Sequence, residues 1–75
     1  MIKVYTTNSC PWCVKAKQYL KSKDANFEEL NVQTDMTARE EMVSKTRQMG
    51  VPVLDINGTV IIGFDKPAID KALKL

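Results

Sequence analysis

The stretch TTNSCPWCVKAKQYL, residues 6–20, holds both cysteines of this 75-residue chain and joins a strand to a helix. The segment IKVYT, residues 2–6, alternates apolar and polar side chains, which is the period-2 signature of a strand. From Pro11 onward, apolar side chains recur at helical spacing on one face: Cys13, Ala16 and Leu20. The stretch therefore predicts a strand followed almost at once by an amphipathic helix, with one cysteine on its apolar side.

Two further segments predict a second strand and a second helix. NFEELNV, residues 26–32, has the apolar and polar mixture of a strand, and residues 34–50 have that of a helix. A threonine or an aspartate is expected to cap the start of this helix, where Thr37 and Glu40 fit a capping box, and Gly50 fits its C-terminal cap. The residues of this helix that we expect to face the core are Ala38, Met42 and Met49.

The C-terminal third of the chain predicts a hairpin and a last helix. VPVLDI, residues 51–56, and TVII, residues 59–62, are rich in β-branched side chains, and the Asn57-Gly58 pair between them is a strong hairpin signal. These two strands should therefore be antiparallel. The last helix is expected from about Pro67, with Asp65 or Lys66 near its cap.

The predicted order of elements is β-α-β-α-β-β-α. A strand, a helix and a second strand form a right-handed crossover between parallel neighbours, whereas the hairpin adds an antiparallel half. The sequence therefore predicts the α/β class, with a four-stranded mixed sheet flanked by helices.

Size and composition limit the classes of function. A chain of 75 residues predicts a single small domain over residues 1–75. The net charge of +2 is carried by dispersed lysines, which argues against a nucleic-acid or membrane partner. The start of the chain lacks the apolar region of a signal peptide, and no apolar stretch approaches the roughly 20 residues that span a bilayer. A cytoplasmic location is therefore expected.

Cys10 and Cys13 could form a structural bridge, part of a metal site or a redox pair. A bridge between them would close a very short loop and stabilise the fold little. A structural zinc site usually has four ligands, whereas the sequence offers two cysteines and no histidine, so no metal site is expected. Haem attachment requires a histidine directly after the second cysteine, where Val14 stands. The C-x-x-C spacing in a βαβ setting favours redox chemistry.

The position of Cys10 explains how such chemistry would operate. Cys10 falls where the strand ends and the helix begins, so its sulfur would lie beside the unpaired N–H groups and the positive dipole end of the helix. A thiolate is favoured there. Pro11 suits the first helical turn because it has no N–H group to lose. Cys13, about one turn along, could resolve a mixed disulfide formed at Cys10. We therefore expect both cysteines to be catalytic.

Three segments give the sequence a family resemblance. VYTTNSCPWC (residues 4–13), GVPVLDING (residues 50–58) and IIGFDKPAIDKAL (residues 61–73) resemble a dithiol glutaredoxin of thioredoxin-like fold. The resemblance covers nearly the whole chain. It implies a thiol-disulfide oxidoreductase that transfers electrons to protein disulfides or to mixed disulfides with glutathione, and that needs no bound cofactor because the sulfurs store the electrons. A monomer is expected.

The resemblance also implies a substrate-binding surface beside the cysteines. In the family, the bond corresponding to Val51-Pro52 is cis, and the residue at Val51 presents its backbone to the substrate. Gly63 and Asp65 match two positions of the family's Gly-Gly-x-Asp-Asp motif, and Asp65 would meet the ammonium group of glutathione. Trp12 lies between the two reactive sulfurs, which favours a role as a contact surface for a partner.

Several departures from the family pattern leave the electron source open. Glutathione-dependent members commonly carry a lysine at the position of Thr7, and their first motif glycine is replaced here by Ile62. Gln48 or Arg47 could still meet a carboxylate of glutathione. The Gly63-Phe64 pair is instead similar to the NrdH-redoxins, which are reduced by thioredoxin reductase with NADPH and donate electrons to ribonucleotide reductase. The sequence is therefore compatible with glutathione or with thioredoxin reductase and NADPH as the electron source.

Two further hypotheses belong to other classes of protein. An iron–sulfur cluster could be held between two protomers by Cys10 of each chain and two external thiols. A redox-silent adaptor could use the same fold only to bind partners. Both are weaker hypotheses, the adaptor because the two cysteines and their place at the helix start are retained.

Overall fold

The computed structural model describes residues 2–74, which form a four-stranded sheet and three helices. The elements, in chain order, are β1 (Ile2–Thr6), α1 (Pro11–Ser22), β2 (Glu28–Asn31), α2 (Met36–Thr46), β3 (Val53–Ile56), β4 (Thr59–Ile62) and α3 (Lys66–Leu73). This order is the one that the sequence predicts.

The sheet is mixed, as predicted. Its spatial order is β2-β1-β3-β4, in which β1 runs parallel to β2 and antiparallel to β3, and β3 runs antiparallel to β4. Asn57 and Gly58 join β3 to β4 with φ angles of 52° and 97°. Positive φ at both central residues is the geometry of the hairpin turns that match the twist of a sheet, so this pair sets the register of the two strands.

Apolar side chains cover both faces of the sheet. One cluster lies on the side of α1 and α3 and comprises Ile2, Val4, Ala16, Leu20, Leu54, Ile56, Ile61 and Ile69. The other lies on the side of α2 and comprises Tyr5, Val32, Ala38, Met42 and Val53. Strand β1 contributes to both clusters because its successive side chains point to opposite faces. It is therefore buried on both sides, and its end leads directly to the cysteine pair.

Helix α2 differs from the prediction at both ends. Its N-cap is Asp35, whose carboxylate accepts a hydrogen bond of 3.1 Å from the N–H of Ala38. The expected aspartate cap is therefore confirmed, whereas the capping box at Thr37 is wrong. The helix ends at Thr46, and Arg47 adopts the left-handed conformation with φ 57°. The expected cap at Gly50 is therefore wrong as well, because a non-glycine residue reverses the chain three positions earlier.

The early end of α2 also changes the predicted core. Met42 is fully buried, as predicted, whereas Met49 is 55% exposed. The prediction for Met49 is wrong because this residue lies beyond the helix end, where the helical spacing that would place it against the sheet no longer applies.

A polar network fixes α2 to the sheet. The hydroxyl of Tyr5, which is buried, donates a hydrogen bond to Glu41, and Lys3 donates one of 3.0 Å to the same carboxylate. Lys45 donates to Tyr5 at 2.9 Å and to Asp55 at 2.6 Å. The hydrogen bonds from Tyr5 and Lys3 lower the pKa of Glu41 from 4.5 to about 2. Burial disfavours the charged Lys45, but its hydrogen bonds to Asp55 and Tyr5 outweigh this and raise its pKa.

We expect the Glu41→Gln variant to lose stability in a pH-dependent way. The charged carboxylate stabilises the folded state above its unfolded pKa, and this stabilisation is lost as the pH falls from 4.5 to about 2. Urea unfolding at pH 7 should show a loss of about 1–2 kcal/mol, a figure that allows for the partial exposure of the ion pairs. The difference from wild type should shrink when the same measurement is made near pH 3.

The matched control for this prediction is Glu40→Gln. Glu40 is the exposed neighbour of Glu41 on α2 and forms no ion pair with any residue from 2 to 74. Its replacement should change the free energy of unfolding by less than about 0.5 kcal/mol. Equal effects of the two substitutions at pH 7 would show that the network contributes no specific stability.

Candidate active site

The cysteine pair lies at the junction between β1 and α1. Cys10 is the N-cap of α1, with extended backbone angles of φ −140° and ψ 94°, and Pro11 occupies the first turn as predicted. The carbonyl of Cys10 accepts the first helical hydrogen bond, 3.2 Å from the N–H of Val14. The sulfur of Cys10 accepts a hydrogen bond of 3.1 Å from the N–H of Cys13. The reactive atom therefore stands at the helix start, as the sequence predicts.

The two cysteines are joined by a disulfide in this structure, which is the oxidised state of the pair. Their Cα atoms are 5.2 Å apart, within the usual range for disulfides. In the reduced state, the helix N-terminus and the N–H group directed at the Cys10 sulfur favour the thiolate form of this cysteine. The site can therefore alternate between a dithiol and a disulfide without help from a distant part of the chain.

The two sulfurs differ in their access to solvent. Cys10 is half-buried, whereas Cys13 is 1% exposed and lies on the inner face of α1. An incoming disulfide must meet its attacker in line, so accessibility decides which cysteine it reaches. The geometry gives the outer position to Cys10 and the sheltered position to Cys13.

A groove beside the cysteines brings together four of the predicted substrate-binding residues. Trp12, Val51, Pro52, Gly63 and Phe64 line a space of about 290 Å³, here called the cis-proline groove. The Val51-Pro52 bond is cis, as the family resemblance implies. The N–H of Gly63 donates a hydrogen bond of 2.8 Å to the carbonyl of Pro52, which holds the two loops of the groove together.

Phe64 is a groove residue that was not singled out as a site residue from the sequence. Its ring centroid is 6.2 Å from that of Trp12 and 5.8 Å from that of Tyr19, which it meets edge-on. Residue 64 is 52 positions from Trp12 along the chain, and no periodic pattern connects them. The available signal was the Gly63-Phe64 pair, whose similarity to the NrdH-redoxins concerned the electron source and not the lining of a groove.

Asp65 lies outside the lining of the cis-proline groove. It is the N-cap of α3, and its carboxylate accepts a hydrogen bond of 3.2 Å from the N–H of Ala68. Asp65 therefore has a structural role as a helix cap, which agrees with the prediction that Asp65 or Lys66 lies near the cap of the last helix. Its predicted substrate-binding role stays a prediction.

The positions expected to anchor glutathione are partly occupied or altered. The amide of Gln48, which could meet a carboxylate, bonds instead to Gly50, accepting at 2.6 Å from its N–H and donating at 3.1 Å to its carbonyl. Thr7 lines a different groove of about 290 Å³, which it shares with Gln33 and Arg39. The described part of the chain thus offers a hydroxyl where the family commonly has a lysine.

Two structural features are absent from residues 2–74. From residue 2 to residue 74, no three or more histidine, cysteine, aspartate or glutamate side chains are grouped so that they could hold a metal ion. Within the same range, no helix combines the length and apolarity needed to cross a bilayer.

The chain is similar to known proteins both in sequence and in structure. The Glutaredoxin family profile matches residues 2–61. An uncharacterised glutaredoxin-like 8.6 kDa protein in a rubredoxin operon of Clostridium pasteurianum is 54% identical over 74 residues, which cover 99% of each chain. The crystal structure of a thioredoxin-like protein superimposes with a TM-score of 0.90 at 32% identity, covering 96% of this chain and 99% of that one. NrdH-redoxin from Escherichia coli, a glutaredoxin-like protein, superimposes with a TM-score of 0.78 at 26% identity, covering 99% and 92%.

These comparisons confirm the predicted thioredoxin-like fold and the family resemblance. The matched profile includes the strand-to-helix junction that carries Cys10 and Cys13, and the geometry of that junction is suited to thiol-disulfide exchange. The chain belongs to the glutaredoxin family of thiol-disulfide oxidoreductases.

Proposed function

We propose that the protein reduces disulfides of other proteins by dithiol exchange, with Cys10 as the attacking cysteine and Cys13 as the resolving one. The observation that carries this proposal is the asymmetry of the pair. Cys10 caps α1 and is half-buried, whereas Cys13 is buried one turn further along at a Cα separation of 5.2 Å. Attack from the outer sulfur and resolution from the inner one follow from these positions.

The exchange consists of two displacements. The Cys10 thiolate attacks one sulfur of the substrate disulfide, which forms a mixed disulfide and releases the other substrate sulfur as a thiolate that takes up a proton. Cys13, after losing its proton, then attacks the Cys10 sulfur. The Cys10–Cys13 disulfide forms, and the second substrate sulfur leaves as a thiol. Two electrons have passed from the cysteine pair to the substrate, and an external thiol reductant must return them.

The backbone of Val51 supports a protein substrate. This residue lies two positions before β3 and lines the cis-proline groove, and neither its N–H nor its carbonyl has a hydrogen-bond partner among residues 2–74. Unpaired backbone groups of this kind can pair with an extended peptide as an added strand. A substrate segment bound there would lie against the same groove that Trp12 lines next to Cys10.

Thioredoxin reductase with NADPH is the proposed electron source, and a cytoplasmic location is part of the proposal because disulfide reduction suits a reducing compartment. Three features weaken a glutathione site: Thr7 replaces a lysine, the amide of Gln48 is bonded to Gly50, and Ile62 replaces a glycine. The structural relative NrdH-redoxin is described as having a thioredoxin-like activity profile, which supports the same choice. Electron donation to ribonucleotide reductase is the specific form that this likeness suggests.

Trp12 offers a direct test of the electron source, since it is the only tryptophan and lies between the two cysteines. The oxidised protein is mixed with glutathione, or with NADPH and thioredoxin reductase, and the tryptophan fluorescence is followed. We expect rapid reduction by the reductase and slow reduction by glutathione. Fast reduction by glutathione alone would instead identify a glutathione-dependent glutaredoxin.

The informative variant for this test is Thr7→Lys. It supplies the cation that the family resemblance places before the first cysteine, at a half-buried position that lines the neighbouring groove. We expect it to speed reduction by glutathione and to leave the rate with thioredoxin reductase unchanged. If it changes neither rate, the missing lysine does not explain the choice of reductant.

A further inference from the structure

A second groove adjoins the cis-proline groove and shares two of its residues, Trp12 and Phe64. It encloses about 530 Å³ and is here called the basic-aromatic groove. Its lining consists of Trp12, Lys15, Gln18, Tyr19, Phe64 and Lys66. It therefore joins the start of α1 to the start of α3, and nothing in the exchange chemistry of the cysteines requires it.

Two ammonium groups lie against the aromatic rings of this groove. The Nζ atom of Lys15 is 4.4 Å from the ring centroid of Trp12. The Nζ atom of Lys66 is 5.6 Å from the centroid of Tyr19 and 5.8 Å from that of Phe64. Cation–π contacts of this length hold the charges in place while leaving their N–H groups free to bind an anion.

Neither lysine of the groove is neutralised inside the protein. Within residues 2–74, the lysines that form ion pairs are Lys3, Lys17 and Lys45, none of which lines the groove. Lys15 and Lys66 thus differ from the paired lysines of β1, α1 and α2, which have carboxylates within 4 Å. The groove presents two positive charges on an apolar wall.

The nearby charged groups do not cancel this positive charge. Asp70 accepts a hydrogen bond from the Tyr19 hydroxyl, and Asp65 caps α3. A third cation, Lys23, lies 5.4 Å from the Tyr19 ring centroid. The three lysines outnumber these two carboxylates, so a net positive charge remains around the groove.

We propose that the basic-aromatic groove binds an aspartate or glutamate side chain of the substrate protein, located a few residues from its redox-active cysteine. This inference rests on the proposed function and names the class of substrate that the site prefers. Trp12 and Phe64 line both grooves, so a peptide that lies along Val51 continues onto the basic-aromatic groove. A carboxylate there meets two cations beside aromatic walls, whereas a lysine at the same place is repelled.

The test uses short disulfide-bonded peptides that differ at one position near the cysteine, which is glutamate, glutamine or lysine. The second-order rate constant for their reduction by the reduced protein is measured at about 0.01 M and about 1 M salt, where the Debye lengths are about 30 Å and 3 Å. We expect the glutamate peptide to react about threefold faster than the glutamine peptide at low salt and the lysine peptide to be slowest. The order should flatten at high salt.

Lys15→Gln and Lys66→Gln should each reduce this discrimination, and in the double variant the glutamate and glutamine peptides should react at the same rate. Lys71→Gln is the matched control, because Lys71 is an exposed lysine of α3 that does not line the groove. It makes the same change in net charge. Equal losses in the control and the groove variants, or equal rates for the three peptides in the wild type, would overturn the proposal.

A binding measurement separates this proposal from the proposed function. Versions of the same peptides with serine in place of cysteine cannot exchange, and their binding is followed by the fluorescence of Trp12. Tighter binding of the glutamate peptide that is lost in the Lys15→Gln/Lys66→Gln double variant supports the groove even if no peptide disulfide is reduced. Exchange without any preference for glutamate would retain the proposed function and reject the groove.

Discussion

The Cys10→Ser variant is expected to lose disulfide exchange completely, and the Cys13→Ser variant to stop at a mixed disulfide. Serine at position 10 leaves no accessible sulfur, because the remaining Cys13 is 1% exposed. Serine at position 13 leaves the outer sulfur at the N-cap of α1 but removes the group that resolves the intermediate. The first variant should therefore form no mixed disulfide, whereas the second should accumulate one.

A single-turnover reaction distinguishes the two variants. Each is mixed with one equivalent of a disulfide-bonded peptide. The products are separated without reducing agent, and their masses are measured by mass spectrometry. The Cys13→Ser variant should gain the mass of one peptide half, and the Cys10→Ser variant should gain none. The reduced wild-type protein is the matched control because all three forms then lack the internal disulfide. A stable adduct on Cys13 in the Cys10→Ser variant would reverse the assigned roles.

The second large effect is expected in the core, where Leu54→Ala should cost about 2–5 kcal/mol. Leu54 is fully buried in β3, pairs with Ile61 across the hairpin and belongs to the cluster that includes Leu20 and Ile69. Its truncation leaves a cavity between the sheet and the helices α1 and α3. A chain of 75 residues has a free energy of unfolding of about 4–11 kcal/mol, so the variant loses a large part of its stability.

Urea unfolding at neutral pH measures this loss, and Ile62→Ala is its matched control. Ile62 is 56% exposed on β4, next to Ile61, and its truncation removes little buried surface. We expect the control to change the free energy of unfolding by about 0.5 kcal/mol or less. Similar losses for the two variants would mean that the cluster around Leu54 does not dominate the stability of the fold.

Local signals account for most of the fold that could be predicted. The C-x-x-C motif, the helical spacing after Pro11 and the Asn57-Gly58 turn each act over a few residues, and the structure confirms the elements they predict. The end of α2 could not be read in this way. Arg47 adopts a left-handed conformation that most side chains disfavour, so the sequence pointed to the glycine at position 50 instead.

The parts of the site formed by residues close together in the sequence could be predicted. The parts that depend on tertiary contacts could not. Cys10 and Cys13 are adjacent on one helix turn, and their positions follow from the motif alone. Phe64 and Lys66 reach the site only because α3 packs beside α1, which places them near the ring of Trp12 or Tyr19. A contact across about 50 residues leaves no periodic trace in one sequence.

The burial of β1 on both faces has a consequence for how such a protein can diversify. Cys10, the proposed attacking cysteine, follows the strand that contributes to both apolar clusters, so most substitutions that would move its sulfur also damage the core. The proposed recognition surface consists instead of exposed or half-buried side chains on α1, on the loop before α3 and at the start of α3, namely Trp12, Phe64 and Lys66. Substitutions on this surface can therefore change the preference for a partner while the cysteine pair and the core around β1 stay the same.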